Sequence, residues 1–205
     1  EEFVNDKYRQ HAWICKATNQ HHCGSHRNPD ILIAEDKHCV VASRDYTDRM
    51  AMAHNFEAQS VGMGGGNSTV GMEGFLYHHK QSNLLDEIIN KDGTRVQIRQ
   101  IDKSSNKIEM NWKGFLSDWK QQDSKTSYNN CFNMIEDLQS RGYIPRHSGS
   151  VLYIKSDGCP AQYKCANALY LVNLLAVVFG IQIDWMISAP HHGKSLVDAI
   201  AGRDK

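Results

Sequence analysis

The sequence lacks any apolar run long enough to cross a membrane as a helix. Such a helix needs about 20 residues, and the best stretch, Ala168 to Phe179, is short and broken by Asn173. It also lacks a charge excess: Lys plus Arg number 23, Asp plus Glu number 23, and the formal net charge is zero. A dedicated nucleic-acid clamp usually shows a basic surplus, so any contact with nucleic acid must come from a local face. A basic secretory signal is missing too. The chain opens on Glu1 and Glu2 and has no initiator Met, which leads us to expect a piece cut from a larger protein. Its six cysteines, at 15, 23, 39, 131, 159 and 165, have no regular spacing and are read as reduced thiols. There is no internal repeat and no low-complexity segment.

What is present describes a globular chain. Of 205 residues, 40% are hydrophobic and 22% charged, too apolar and too balanced for a disordered tail. The length suits one domain with a short appendage and buries a core without disulfide staples. We divide it into an N-terminal helical and loop appendage, residues 1–36, and a core, residues 37–205. In the appendage, Phe3, Val4, Tyr8, Ala12, Trp13 and Ile14 suggest a short helix, and the polar stretch after it, with Gly24 and Pro29, a loop. His11, Cys15, Cys23 and His26 are zinc-type donors, but their spacing is not that of a standard finger. The helix-and-loop reading is preferred.

Within the core, His38 to Ser43 reads as a buried strand that delivers Asp45 just past its end. Residues 62–66, GMGGG, lack the Lys and the strand-to-helix context of a phosphate loop and read as a turn or loop. Ser68 to His79 and the alternating Thr94 to Ile101 read as strands, with Leu84 to Asn90 helical and Lys91-Asp92-Gly93 a turn. Tyr128, Cys131, Phe132, Ile135 and Leu138 have helical spacing, closed by Gly142. Val151 to Ile154 is a strand, Ala161 to Phe179 a long apolar helix closed by Gly180, Ile181 to Ser188 a strand, and Lys194 to Ala201 a last helix. Strand, helix, strand, helix predicts an α/β layer architecture.

Three aspartates fall at element ends: Asp45, Asp157 and Asp198. A carboxylate just past a buried strand is costly unless it meets a ligand, a cation or solvent, and such ends are where α/β folds place their sites. Converging carboxylates repel one another, and a divalent ion with oxygen preference relieves that. The plainer readings are a turn residue, for an Asp before Gly, and a helix-dipole partner, for an Asp in a first turn. His192, Gly193 and Lys194 precede the last helix, where Lys194 suits a phosphate and His192 a proton shuttle. A capping turn with a solvated lysine explains them equally. Gln162 and Lys164 follow Asp157 at a helix start and suit contact with a DNA backbone, or simply form an exposed polar face.

A resemblance adds to this reading. The segment SDGCPAQYK, Ser156 to Lys164, and the later HHGKSLVDAIAGRDK, His191 to Lys205, resemble a recurrent motif pair of transposon-derived eukaryotic proteins. Ser156, Asp157, Gly158, Gln162, Tyr163 and Lys164 match the first motif. Trp185, Ala189, His192, Gly193, Lys194, Asp198, Ile200 and Gly202 match the second. Arg44 to Ser60 resembles the block that carries the family's leading carboxylate, here Asp45, and Gly114 to Asp118 a shorter block between them. The resemblance spans roughly residues 40 to 205. It implies the ribonuclease-H-like core of a DDE/D-type transposase, an α/β fold with a mixed β-sheet flanked by helices. In that family the first carboxylate closes the first strand, the second closes the fourth, and the third rides on a later helix.

The implied activity is metal-dependent DNA strand cleavage and strand transfer, with Asp45, Asp157 and Asp198 holding two Mg²⁺ or Mn²⁺ ions. The implied partners are double-stranded DNA and a second copy of the chain, with no membrane, and the implied location is nuclear. His192 would be catalytic, and Gln162, Lys164 and Lys194 would touch DNA. The chain departs from the family pattern at Ser195, Ala199 and Ala201, which stand at glycine positions, and at Asp48, where Asn is common. Those departures motivate a second reading, a domesticated interaction module that keeps the fold without turnover. A nuclease acting on RNA–DNA hybrids is a third, since a fold does not choose its substrate.

Overall fold

Strand β1 (Cys39–Ala51) grows from a β-branched run whose stiff side chains suit a pleated backbone. The computed structural model describes residues 38–51, 69–102, 107–117, 122–146 and 149–188, together with Val197 and Ile200. On one side β1 pairs antiparallel with β2 (Thr69–Lys80), which pairs antiparallel with β5 (Ile108–Ser117). On its other side β1 pairs parallel with β6 (Val151–Ser156), which pairs parallel with β7 (Gln182–Ile187). The result is a mixed five-stranded sheet in the order β5-β2-β1-β6-β7. Between β2 and β5 the chain makes a separate two-stranded ribbon, β3 (Ser82–Ile89) and β4 (Arg95–Ile101).

Among the described residues two long helices flank the sheet, so the fold is mixed α/β. Helix α1 (Ser124–Ser140) is capped by Asp123, whose carboxylate accepts from the Thr126 backbone N–H at 2.9 Å and so satisfies an orphan donor of the first turn. It ends as expected at Gly142, whose φ of 72° favours glycine. A side chain there would also press on the backbone of Ile98 and Arg99 at 3.0 Å. That contact docks the ribbon, because Arg99 N–H donates to the Gly142 carbonyl at 3.0 Å. Helix α2 (Ala166–Phe179) closes on Gly180. Both helices cover the sheet face that carries Val40, Ala42, Phe75, Leu152 and Ile154, with Met134, Ile135 and Leu138 from α1 and Leu175 and Phe179 from α2. Val41 points to the opposite face, where it packs with Cys39 and Val151. The outer side of α2 leaves Leu169, Tyr170 and Val177 exposed. Among the described residues no helix is long and apolar enough to cross a membrane. The cysteines at 39, 131, 159 and 165 are free thiols.

Several expectations are corrected. Leu84 to Asn90 is not helical. Its residues up to Ile89 belong to β3, because LLDEII is ambiguous locally and pairing with the alternating β4 across the Lys91–Gly93 turn decides it. The long helix starts at Ala166, not Ala161. Before it, the Cys159 carbonyl accepts from the N–H groups of Gln162, Tyr163 and Lys164, which ties residues 159–164 into a turn. β1 runs on to Ala51, so Asp45 lies within the strand instead of beyond it. β5, which the sequence reading left unassigned, is a full sheet member. The appendage, the GMGGG loop and the His11, Cys15, Cys23 and His26 cluster lie outside the described residues.

Candidate functional site

The parallel register of β1 and β6 aligns two of the predicted carboxylates. Its last pair is Ser43 with Lys155, and Asp45 and Asp157 each stand two residues further on. They are therefore level with each other on neighbouring segments, just past the end of a parallel pairing in which strands lie about 4.8 Å apart, Asp45 within β1 and Asp157 beyond β6. Both are half-buried. The Asp157 carboxylate accepts from the Cys159 N–H at 3.1 Å, and the Asp45 carboxylate from the Tyr46 N–H at 2.8 Å. Each is an oxygen donor of the hard type that Mg²⁺ prefers. Asp198, His192 and Lys194 lie outside the described residues; Val197, beside Asp198 in the chain, is helical and fully buried. Among the described residues no three His, Cys, Asp or Glu side chains come together as a metal-binding group.

Gly74 lies directly opposite Asp45 on β2. A Cβ there would fall 2.0 Å from the Trp112 ring, which lies across the glycine. Glycine is therefore required at this point by the close approach of the indole. The two remaining predicted residues separate. Lys164 is exposed, as a backbone-contacting lysine needs to be. Gln162 is buried and not on an exposed face; its amide donates to the Gln122 side-chain oxygen at 3.4 Å.

Directly behind the strand ends sits a buried charged cluster that the sequence reading missed. Arg44, next to Asp45, and Glu73 on β2 form an ion pair at 3.9 Å with side chains 2% and 0% exposed. Glu73 accepts from Tyr163 O–H at 2.9 Å, from the Asn130 amide at 2.9 Å and from Ser127 O–H at 3.4 Å. Both of its oxygens only accept, the pattern of a carboxylate. Burial dominates and holds the Glu73 carboxyl above its ordinary range, although Arg44, Asn130 and Tyr163 each pull it down. The Arg44 guanidinium stacks over Tyr163 at 4.7 Å and Trp185 at 4.9 Å and donates to the Ser127 carbonyl at 3.5 Å. Burial raises the Tyr163 phenol, with the charges of Glu73 and Asp45 adding to it. Cys131 lines the same cluster, and burial pushes its thiol up to about 11, so it stays protonated at neutral pH. One signal for this cluster was available: Glu73 interrupts an otherwise small and apolar strand, GMEGFLY.

A second polar cluster lies near the other end of β2. His79 Nδ1 bonds the Lys80 carbonyl at 3.0 Å, so it carries the proton, and Nε2 accepts from the Asn111 amide at 2.9 Å. The ring packs on Tyr143 at 4.0 Å, and Arg99 covers Tyr143 at 4.3 Å. Desolvation lowers the His79 pKa.

No curated protein and no solved structure matches the chain. The family match covers residues 98–205, which takes in Asp157 and Asp198 but not Asp45. On that match the chain belongs to the family described as "Domain of unknown function (DUF8701)".

Proposed function

We propose that this chain is a ribonuclease-H-like catalytic domain of the DDE/D transposase type, acting on double-stranded DNA. The observation that carries the reading is the shared level of Asp45 and Asp157 just past the point where the parallel pairing of β1 with β6 ends. In chain order β6 is the fourth strand of the large sheet, so the second carboxylate follows the strand that the family resemblance implies. Asp198 is the third carboxylate. A pair of Mg²⁺ or Mn²⁺ ions held by them would activate the attacking oxygen and stabilise the leaving 3′-oxygen. Asp45 and Asp157 contribute oxygen ligands, and their backbone contacts fix where those oxygens sit. Exposed Lys164 attracts the phosphate backbone, with Lys194 as its sequence-level partner in that role, and His192 moves a proton near the leaving group. The burial of Gln162 favours a role in shaping the turn after Asp157 over direct contact with DNA. DNA as substrate assigns the protein to the nucleus.

The departures at Ser195, Ala199 and Ala201 support a second reading, an interaction module derived from such an enzyme. Nicking of supercoiled plasmid in a Mg²⁺ titration separates the two. The catalytic reading expects metal-dependent nicking by the wild type and none by Asp157→Ala. Nicking that survives this substitution, or a wild type that neither nicks nor takes up metal, overturns it, and the latter result favours the module.

A further inference from the structure

The motif residues Tyr163 and Trp185 do more than fill space. Trp185 N–H on β7 donates to Ser156 Oγ at 2.8 Å, and Ser156 Oγ in turn donates to the Asp157 carbonyl at 3.3 Å. The Ser188 N–H also holds the Ser156 carbonyl at 2.9 Å. The residue before Asp157 is thus fixed through its hydroxyl from β7 and through its backbone from the residue just after β7. The turn after Asp157 is fixed separately: Asp157 receives the Cys159 N–H, the Cys159 carbonyl receives the Tyr163 N–H, and the Tyr163 hydroxyl ends on Glu73. Glu73 also pairs with Arg44, the backbone neighbour of Asp45. Finally, Arg44 lies against the Tyr163 and Trp185 rings at 4.7 and 4.9 Å, with those rings 6.3 Å apart and edge to face. Glu73 and Arg44 therefore link the residue before Asp45 to the chain around Asp157.

Resting on the transposase-type reading above, we propose that Arg44, anchored by Glu73, and Trp185, bonded to Ser156, are positioning residues that hold Asp45 and Asp157 in the relative geometry a shared divalent ion requires. They do not touch the ion. They act through the backbone of the ligand residues, as outer-layer partners do in metal sites generally. A cluster whose only task was to fill the core would be served at least as well by apolar side chains, since replacing a buried ion pair with packed hydrophobic residues is often neutral or stabilising.

The test measures Mn²⁺ affinity by calorimetry on the intact chain, together with thermal melts without metal. Trp185→Phe keeps an aromatic ring beside Arg44 and removes the N–H to Ser156 along with part of the indole. Ser156→Ala removes the acceptor. Arg44→Lys keeps the charge beside Glu73 and loses the planar stack. The expected result is a rise in Kd of about tenfold for each variant, in the range for lost outer partners, with Trp185→Phe and Ser156→Ala melting close to the wild type. If Arg44→Lys fails to fold, the other two variants decide. Wild-type affinity in both folded variants overturns the positioning role while leaving the catalytic reading intact. A wild type that takes up no Mn²⁺ overturns both.

Discussion

Toward one end of β2, Glu73 is buried with a cation and three donors around it; near the other end, His79 is buried as a neutral ring between a carbonyl and an amide. Both side chains have lost almost all contact with water. The first meets the cost of desolvation with an opposite charge, the second by giving up charge altogether. The difference matters for what each region is able to do. A compensated ion pair is rigid and intolerant of losing one member, which suits a frame beneath two carboxylates. A neutral histidine titrates, which links its region to pH.

The largest effect should follow from breaking the charged cluster. Arg44→Ala leaves Glu73 buried without its cation and should lower stability by about 3–5 kcal/mol, read from urea unfolding midpoints. A loss under about 1 kcal/mol would mean that the pair behaves like a surface ion pair and would erase the contrast with His79. Tyr163→Phe removes one donor to Glu73 while keeping the ring over Arg44. It should cost about 1–3 kcal/mol, the range for a buried acceptor left short of a partner, in the same unfolding experiment.

The smallest effect concerns His79 and depends on pH. Its folded pKa is depressed below the ordinary 6.5, so the unfolded chain binds the proton more readily. The stability contributed by the neutral ring is therefore complete above about pH 6.5 and is lost as pH falls through that value toward the folded pKa. His79→Gln should flatten this segment of the stability profile between pH 7.5 and 5.5. The comparison is against the wild type, which isolates His79 from the ten other histidines. An unchanged slope would show that the ring is not the group being titrated.

Much of the architecture is legible in the sequence. Alternating apolar residues announced β4 and β7, a compact β-branched run announced β1, and a helical period with Gly142 beyond it announced α1. Where the local pattern was ambiguous the reading failed. LLDEII serves a helix or a strand, and IEMNWKGFLS mixes polar and apolar residues without a clear period because β5 lies at the sheet edge. Asp157 stood out because a carboxylate before glycine follows a buried strand. Arg44 and Glu73 did not, since a charged residue in a sequence reads by default as solvated. Their interaction also joins segments far apart, as the Glu73 contact with Tyr163, 90 residues along, shows.

Sequence alone determined which stretches could be strands or helices, since side-chain period and β-branching act over a few residues. It also determined which residue types were on hand for chemistry. Tertiary structure decided which face each strand buries, that Asp45 and Asp157 come level, and that an arginine and a glutamate could be taken out of water together. The reason is that pairing register and desolvation are properties of neighbours in space. A carboxylate becomes a frame or a ligand only once the chain has chosen what lies within a few ångströms of it.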